Sequence, residues 1–363
     1  MEDKISQLAL SLIPGIGAVR LKKLLSHFTS IVEMQKELTF KLAKSLSLPE
    51  KTFKNLKNFS FFKEKAMSVL EYCKKEGIKI IFPQEPSFPS LLKKIYDPPL
   101  VIYIKGEYLD KDTQAIAIVG TRSPDPYGQT VTAIFTRELA MNGFTIISGL
   151  ARGIDTIAHK EALKAGGRTI AVIGSGLDYI YPPENKELTK SIVESGAVIS
   201  EFPPGTPPMR ENFPRRNRLI SGLSRGVLIT QAPRRSGALI TALLALEQGK
   251  EVFAVPGPIK NFRSCGTHYL IKQGAKLSET LEDLLEELAP HTLPKQLEIK
   301  SSAEMPTQLE KQVLEVLGTQ PLHFEELLSL VSMETAKLCS LLVSLELKGL
   351  VKRFPGNYYI KQL

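Results

Sequence analysis

Residues 212–222 read NFPRRNRLISG, so Arg215, Arg216, Asn217 and Arg218 directly follow Phe213 and Pro214. The apolar Leu219, Ile220 and Leu223 behind them predict a helix that starts near Pro214. A helix start is the positive end of the helix dipole, where cations are disfavoured and anions are favoured. Arginines crowded there point to an anion that meets them, and their forked guanidinium groups suit phosphate oxygens. Phe213 either offers a flat face on which a base stacks or is a core residue. The arginines have an alternative use too, pairing with acids from another part of the chain.

Other stretches carry the same chemistry. VGTRSPDPYG holds Gly120, Thr121 and Arg122, and SGLARGIDTIAH holds Gly149, Arg152 and Gly153, with Asp155 placed to cap a helix. GSGLDYIYPPEN and TQAPRRSGALIT follow, the second with Arg235, Ser236 and Gly237. Glycines at tight turns let backbone amides face an anion. Enzyme signatures are harder to find. The first loop lacks G-x-G-x-x-G and a following ribose-binding acid, so a dinucleotide cofactor is disfavoured, and no G-x-x-x-x-G-K-[ST] marks an NTPase. His159 lies on a helical stretch without a partner histidine and reads as packed; His268 has no evident catalytic partner. Cys73, Cys265 and Cys339 are widely separated and form no metal-ligand pair. No cofactor or metal is expected.

The elements that position these loops are legible as alternating strand and helix from about residue 78. IKIIF and LVIYIKG open the pattern, and AIAIVG, FTIISG, RTIAVIG, GAVISE, GVLIT and EVFAVPG continue it. Amphipathic helical stretches at 128–142, 153–165, 184–195, 213–223 and 236–248 separate them. Near-continuous apolar strands joined by helices predict a parallel sheet covered on both faces. The fold class is therefore α/β, a Rossmann-like doubly wound domain over 78–289. In such sheets ligands bind beyond the carboxyl ends of the strands, and the loops above all leave from that edge.

Two smaller domains flank it. Residues 1–75 have helical spacing, and LIPGIGAVRLKKLL resembles a helix-hairpin-helix (or SAM-like) turn; SLSLPEKTF looks like a second, degraded copy. Residues 290–306 read as a linker. Residues 307–363 predict helices at 308–317, 322–330 and 333–349 and a hairpin turning at Pro355-Gly356-Asn357, a winged helix suited more to protein contact than to DNA. Of the net charge of +9, most lies in the first 80 residues, with 15 Lys and Arg against 8 Asp and Glu. Seven of the 14 arginines nevertheless fall between 205 and 240, where Glu211 is the only acid. That local patch points to phosphate. Nothing reads as a leader or a membrane span, and a cytoplasmic protein is expected.

IAIVGTRSPDPYG, SGLARGIDTIAH, IAVIGSGLDYIYPPEN, EFPPGTPPMRENFPRRNRLISGLS, SGALITALLALEQGKEVFAVPG and GTHYLIKQGA together resemble, in order, the bacterial DNA-processing protein A (DprA/Smf) family. The resemblance covers most of 115–275. It implies a domain that binds single-stranded DNA without turnover, and a homodimer that loads the recombinase RecA onto incoming strands during natural transformation, past single-strand-binding protein. It implies that Gly120, Thr121 and Arg122 bind phosphate and that Arg210, Phe213, Arg235 and Gly149 belong to the pocket. Arg152, Arg216 and Arg218 are added from the residues themselves. The chain departs from the family at Gly237-Ala238-Leu239, where many members read Gly-Ser-Leu, and at His268, where many carry asparagine. Two other classes compete: a nucleoside-monophosphate phosphoribohydrolase on the same fold, and a structural adaptor. The hydrolase needs a glutamate after its glycine loop, whereas here no acid follows Ser236-Gly237 until Glu247.

Overall fold

The structure, a computed structural model, describes residues 2–28, 31–288, 307–318, 322–331, 333–347, 350–354 and 357–361. The chain divides into two compact units, 1–290 and 291–363. The expected linker at 290–306 lies outside the described residues.

The first unit opens with α1 (Glu2–Ser11), α2 (Ala18–Leu25), α3 (Ile31–Glu37), α4 (Phe40–Ser45), α5 (Glu50–Lys57) and α6 (Phe59–Lys75). Between α1 and α2 the chain turns at Gly15, whose φ of +88° suits glycine. Thr52 of α5 donates its hydroxyl to the Pro14 carbonyl at 3.1 Å, closing this turn against the second helical stretch. These helices do not stand apart from the sheet. Leu8, Phe59, Phe62 and Val69 share one apolar core with Tyr103, Ile173 and Val198.

Nine strands form the sheet: β1 (Lys79–Ile81), β2 (Ile102–Gly106), β3 (Ala115–Val119), β4 (Thr145–Ser148), β5 (Thr169–Val172), β6 (Ala197–Ser200), β7 (Gly226–Ile229), β8 (Glu251–Ala254) and β9 (Lys276–Leu277). Their order is β1-β2-β6-β5-β4-β3-β7-β8-β9. From β6 to β9 every pair is parallel, and β3 to β7 is fully buried, as expected of strands covered on both faces. The first two strands differ from the expected pattern. β2 runs antiparallel to β6 and β1 antiparallel to β2, so both extend one edge. Only α7 (Ser90–Lys93) separates them, and a single-turn helix cannot cross a sheet to make a parallel pair.

The crossover helices are α8 (Pro126–Met141), α9 (Ile154–Lys164), α10 (Lys186–Ser195), α11 (Asn212–Leu223) and α12 (Gly237–Glu247), followed by α13 (Cys265–Lys272) and α14 (Leu281–Leu288). The chain winds outward from β3 to β6, then returns to place β7 on the other side of β3. That reversal opens a crevice between the loops after β3 and β7, the topological switch point where ligands of such folds bind.

His159 of α9 is fully buried, with Nδ1 2.7 Å from the Thr169 hydroxyl. Burial, aided by the nearby charge of Arg216, pushes its pKa down to about 3. Below its ordinary pKa of about 6.5 the unfolded chain takes up a proton that the native ring refuses. Stability therefore falls as pH drops from about 6.5 toward 3, by up to about 1.4 kcal/mol per pH unit from this group. The melting temperature of His159→Gln should decline less steeply than that of the wild type across this range. Parallel curves would assign the acid sensitivity to other groups.

The second unit contains α15 (Gln308–Val316), β10 (Leu322–His323), α16 (Phe324–Val331), α17 (Thr335–Leu347), β11 (Val351–Phe354) and β12 (Tyr358–Lys361). α15 starts in a capping box: Glu310 accepts the Thr307 amide at 2.7 Å, and the Thr307 hydroxyl accepts the Glu310 amide at 3.3 Å. Leu314, Leu327, Leu338, Leu342, Val351 and Tyr359 form its core. Three helices and a three-stranded sheet of order β10-β12-β11 make a winged helix. Residues 322–323, expected as helix, are strand because they pair with Tyr358 and Tyr359. Of the expected hairpin turn, Pro355 and Gly356 lie outside the described residues.

Candidate nucleic-acid interface

The crevice at the switch point holds a pocket of about 320 Å³. Gly120, Thr121 and Arg122 line it from the loop after β3, Ser236 and Gly237 from the start of α12, and Phe213, Arg216 and Asn217 from α11. A second hollow of about 30 Å³ adjoins it, lined by Arg122, Gly149, Arg152, Tyr181, Phe213 and Arg216. Arg122, Phe213 and Arg216 belong to both. The half-buried Phe213 thus stands as a wall between two spaces.

Local sequence explains how the walls are held. The Thr121 amide donates to the Gln231 carbonyl at 2.8 Å, joining the β3 and β7 loops at their base. A Cβ at Gly120 would press on Ile154 and on that same Gln231 carbonyl, so only glycine permits this approach. Ser236 caps α12, its hydroxyl accepting the Ala238 amide at 3.3 Å. Beyond Gly237 there is open space, so the positive end of α12 faces the pocket.

The arginines of α11 have three different fates, because successive residues turn by about 100° around a helix. Arg215 is exposed and lies over the Phe202 ring, 5.1 Å from its centre. Arg216 points inward and is only 4% exposed. Its Nη1 donates to the carbonyls of Gly149 at 2.6 Å and Val172 at 2.5 Å. Burial holds its pKa down to about 10, so it remains charged at neutral pH. Arg218 binds Glu201, lies 3.6 Å from Asp97, and lines a separate hollow with Arg215. Arg216 lines the pocket while its Nη1 ties the β4 and β5 ends, and Arg218, expected at the phosphate site, is instead engaged by acids outside both hollows. The helix also starts at Asn212, two residues before Pro214. Proline at its third position is tolerated because the first four amides have no intrahelical acceptor.

Asp155 is likewise re-read. It makes no N-terminal cap; its Oδ2 accepts the amides of Gly149 at 3.1 Å and Ala151 at 3.4 Å in the loop before α9. Burial raises its pKa, opposed by Arg216, Arg122 and those two amides. A Cβ on Gly149 would collide with Nη1 of Arg216 and crowd Asp155. Gly149 is therefore the spacer that leaves room for both buried side chains.

What faces outward is Arg122, exposed and 5.7 Å from the centre of the Phe213 ring. Arg152 is exposed but held by Glu184. Arg210 and Arg235 are exposed on the loops after β6 and β7, outside both hollows. Sequence reasoning passed over Tyr181, 40% exposed and 6.1 Å from Phe213 between ring centres, tilted by 49°. Its signal was an aromatic residue ahead of two prolines in a loop on the ligand edge. Of the two histidines weighed, His159 is packed and His268 is half-buried, its Nε2 3.0 Å from the Gly257 carbonyl oxygen. Among the described residues no group of three His, Cys, Asp or Glu is placed to hold a metal, and no helix is long and apolar enough to cross a membrane.

Comparison with known proteins places this geometry. Residues 79–289 match the family model of DNA recombination-mediator protein A, and residues 299–357 match that of the DprA winged helix domain. Protein Smf of Escherichia coli (strain K12) is 39% identical over 342 residues, covering 92% of this chain and 87% of its own length. The X-ray structure of DNA processing protein A from Streptococcus pneumoniae superposes with a TM-score of 0.64 at 36% identity, covering 79% of this chain and 98% of that one. A structure of DNA processing protein A from Helicobacter pylori, described for its single-stranded DNA binding mode, gives a TM-score of 0.53 at 34% identity over 58% of this chain and 95% of its own. The two domain matches, the full-length relative and the shared fold agree: the chain belongs to the DNA recombination-mediator protein A (DprA/Smf) family.

Proposed function

We propose that this chain binds single-stranded DNA at the pocket between the β3 and β7 loops and acts, without turnover, as a recombination mediator. The observation that carries this reading is Phe213, within 5.7 and 5.9 Å of the guanidinium groups of Arg122 and Arg216 and lining a hollow headed by a helix N-terminus. An aromatic face takes a base, and the amides with Arg122 take its phosphate. Duplex DNA keeps its base faces stacked and cannot use Phe213. Since backbone contacts carry little base information, sequence preference should be weak.

The family's role extends this to loading RecA onto incoming single strands during natural transformation, as a homodimer working against single-strand-binding protein in the cytoplasm. The winged helix serves protein contact in this scheme. A phosphoribohydrolase is disfavoured by the pocket's chemistry. Its lining carboxylate, Asp155, is engaged by two amides, and Glu247 is the last residue of α12, about 15 Å along the axis from Gly237.

Fluorescence anisotropy with labelled single-stranded and duplex oligonucleotides tests the proposal. Single strands should bind more tightly, and with about four phosphates neutralised the log–log salt slope should be near −3, about 0.7 per phosphate. Equal affinity for both forms, or a slope near zero, would remove the pocket from consideration as a DNA site.

A further inference from the structure

Beyond the pocket, the loop after β8 displays residues that the reading above leaves unused. Phe262 is 60% exposed and Ile259 is 86% exposed. Lys260 between them is exposed too. The guanidinium of Arg263 lies over the Phe262 ring, 4.6 Å from its centre. A large ring left in water forgoes burial worth roughly 1.5–3 kcal/mol, and a floppy loop would simply fold it inward.

This loop is held in place from several sides. Arg263 Nε donates to the Ser123 carbonyl at 2.9 Å, and the Asn261 side-chain amide donates to Asp125 at 2.7 Å. Asn261 Oδ1 accepts the Arg263 amide at 3.0 Å, capping the short turn that carries Phe262. The Tyr127 hydroxyl donates to the Pro256 carbonyl at 2.5 Å. The loop is thus docked on the segment that follows β3, the one that also presents Arg122. Arg122 covers Phe213 and the neighbouring Ser123 anchors Arg263, so one loop organises two arginine–phenylalanine stacks.

Charge favours an anionic occupant. No Asp or Glu occurs from 252 to 278, and none from 212 to 246. Asp125, the acid that touches the loop, is occupied by the Gly128 amide at 2.9 Å and by Asn261. Between the two stacks the β7 loop adds exposed Arg235 and Arg234, the latter 3.4 Å from the centre of the Tyr269 ring. β3 and β8 are separated by β7 alone. Two strand spacings are roughly 10 Å, a distance that a single strand of a few nucleotides crosses.

We infer that Phe262, flanked by Lys260 and Arg263, is a second stacking platform for the same single strand, which runs from Phe213 across the β7 loop to the β8 loop. This inference rests on the proposed pocket and adds a direction and a length to it. A strand too short to span both rings gains nothing from Phe262, whereas a longer one does.

The test measures anisotropy of single-stranded oligonucleotides from about 2 nucleotides, too short to reach both rings, to about 16 nucleotides on the full chain and on Phe262→Ala. Short oligonucleotides should bind both proteins alike. Longer ones should bind the variant about 5- to 150-fold more weakly, the range of one lost base stack. The chain has no tryptophan, so Phe262→Trp supplies a single reporter, and its fluorescence should be quenched by long oligonucleotides and not by short ones. Unchanged affinity at every length, or an unquenched tryptophan in a protein that binds long strands, overturns the inference and leaves the pocket intact. A shift of sedimentation to a smaller species in Phe262→Ala, with DNA affinity unchanged, also overturns it by assigning the ring to contact between copies. If the wild type binds no single strand at any length, the failure belongs to the pocket itself.

Discussion

Replacing Arg122 and Phe213 together by alanine is expected to weaken single-stranded DNA binding by two to three orders of magnitude while the melting temperature moves by only a few degrees. The size follows from two contributions. One stacked base is worth roughly 1–3 kcal/mol by alanine substitution, and a charge-assisted hydrogen bond to phosphate roughly 1.5–3 kcal/mol. The two residues touch, with the guanidinium over the ring at 5.7 Å, so their effects should not simply add. Each single variant should therefore show more than half of the combined loss. Stability is spared because Arg122 is exposed and Phe213 only half-buried. A double variant that binds single strands as well as the wild type would move the DNA to another surface.

The second large effect is on stability. Arg216→Ala should lower the melting temperature by roughly 6–20 °C. That figure takes about 3–5 kcal/mol for removing a buried charge that offsets another one nearby and about 2–4 °C per kcal/mol for a unit of this size. The physical origin is specific. Without the guanidinium, the carbonyls of Gly149 and Val172 lose their shared donor, and Asp155 keeps a buried charge offset only by two amides and the field of Arg122. Arg216→Met combined with Asp155→Asn should recover part of the loss, because a neutral pair leaves no uncompensated charge behind. Thermal unfolding followed by circular dichroism separates this from the reading the sequence suggests. An arginine that merely reached out for phosphate would, when removed, cost affinity and leave the melting curve in place.

The two variants also divide the labour of the site. Arg122 and Phe213 meet solvent and can meet a ligand. Arg216 lines the same space but stabilises the edges of β4 and β5 that carry the loops. Its charge still contributes to the field of the pocket, since a buried guanidinium in low dielectric is poorly screened. Loss of Arg216 should then weaken DNA binding indirectly, through the position of Gly149 and its loop, even at temperatures well below unfolding.

Much of this was legible in the sequence. The apolar strands and the helices between them fixed a doubly wound sheet, because a strand buried on both faces must be apolar throughout and a helix on the sheet must be amphipathic. Once the sheet is parallel, the loops carrying Gly120, Arg122, Gly149 and Arg235 share one edge without further information. Phe213 stood out by its place beside a helix start. Local rules reach this far because they depend on period, glycine and chain direction, all of which lie within a few residues of each other.

Tertiary structure alone decided which arginine binds what. Arg215, Arg216 and Arg218 are chemically alike and near neighbours, yet they end on an aromatic ring, on two buried carbonyls and on two acids. Their partners come from residues 97, 149, 172, 201 and 202, so no window around 215–218 contains the answer. The antiparallel edge of β1 and β2, the tie between Asp155 and its preceding loop, and the docking of the β8 loop on Ser123 are of the same kind. For the arginines and the β8 loop the deciding energy is a hydrogen bond or ion pair to a residue distant in the chain, and its existence depends on how the core rotates one element against another.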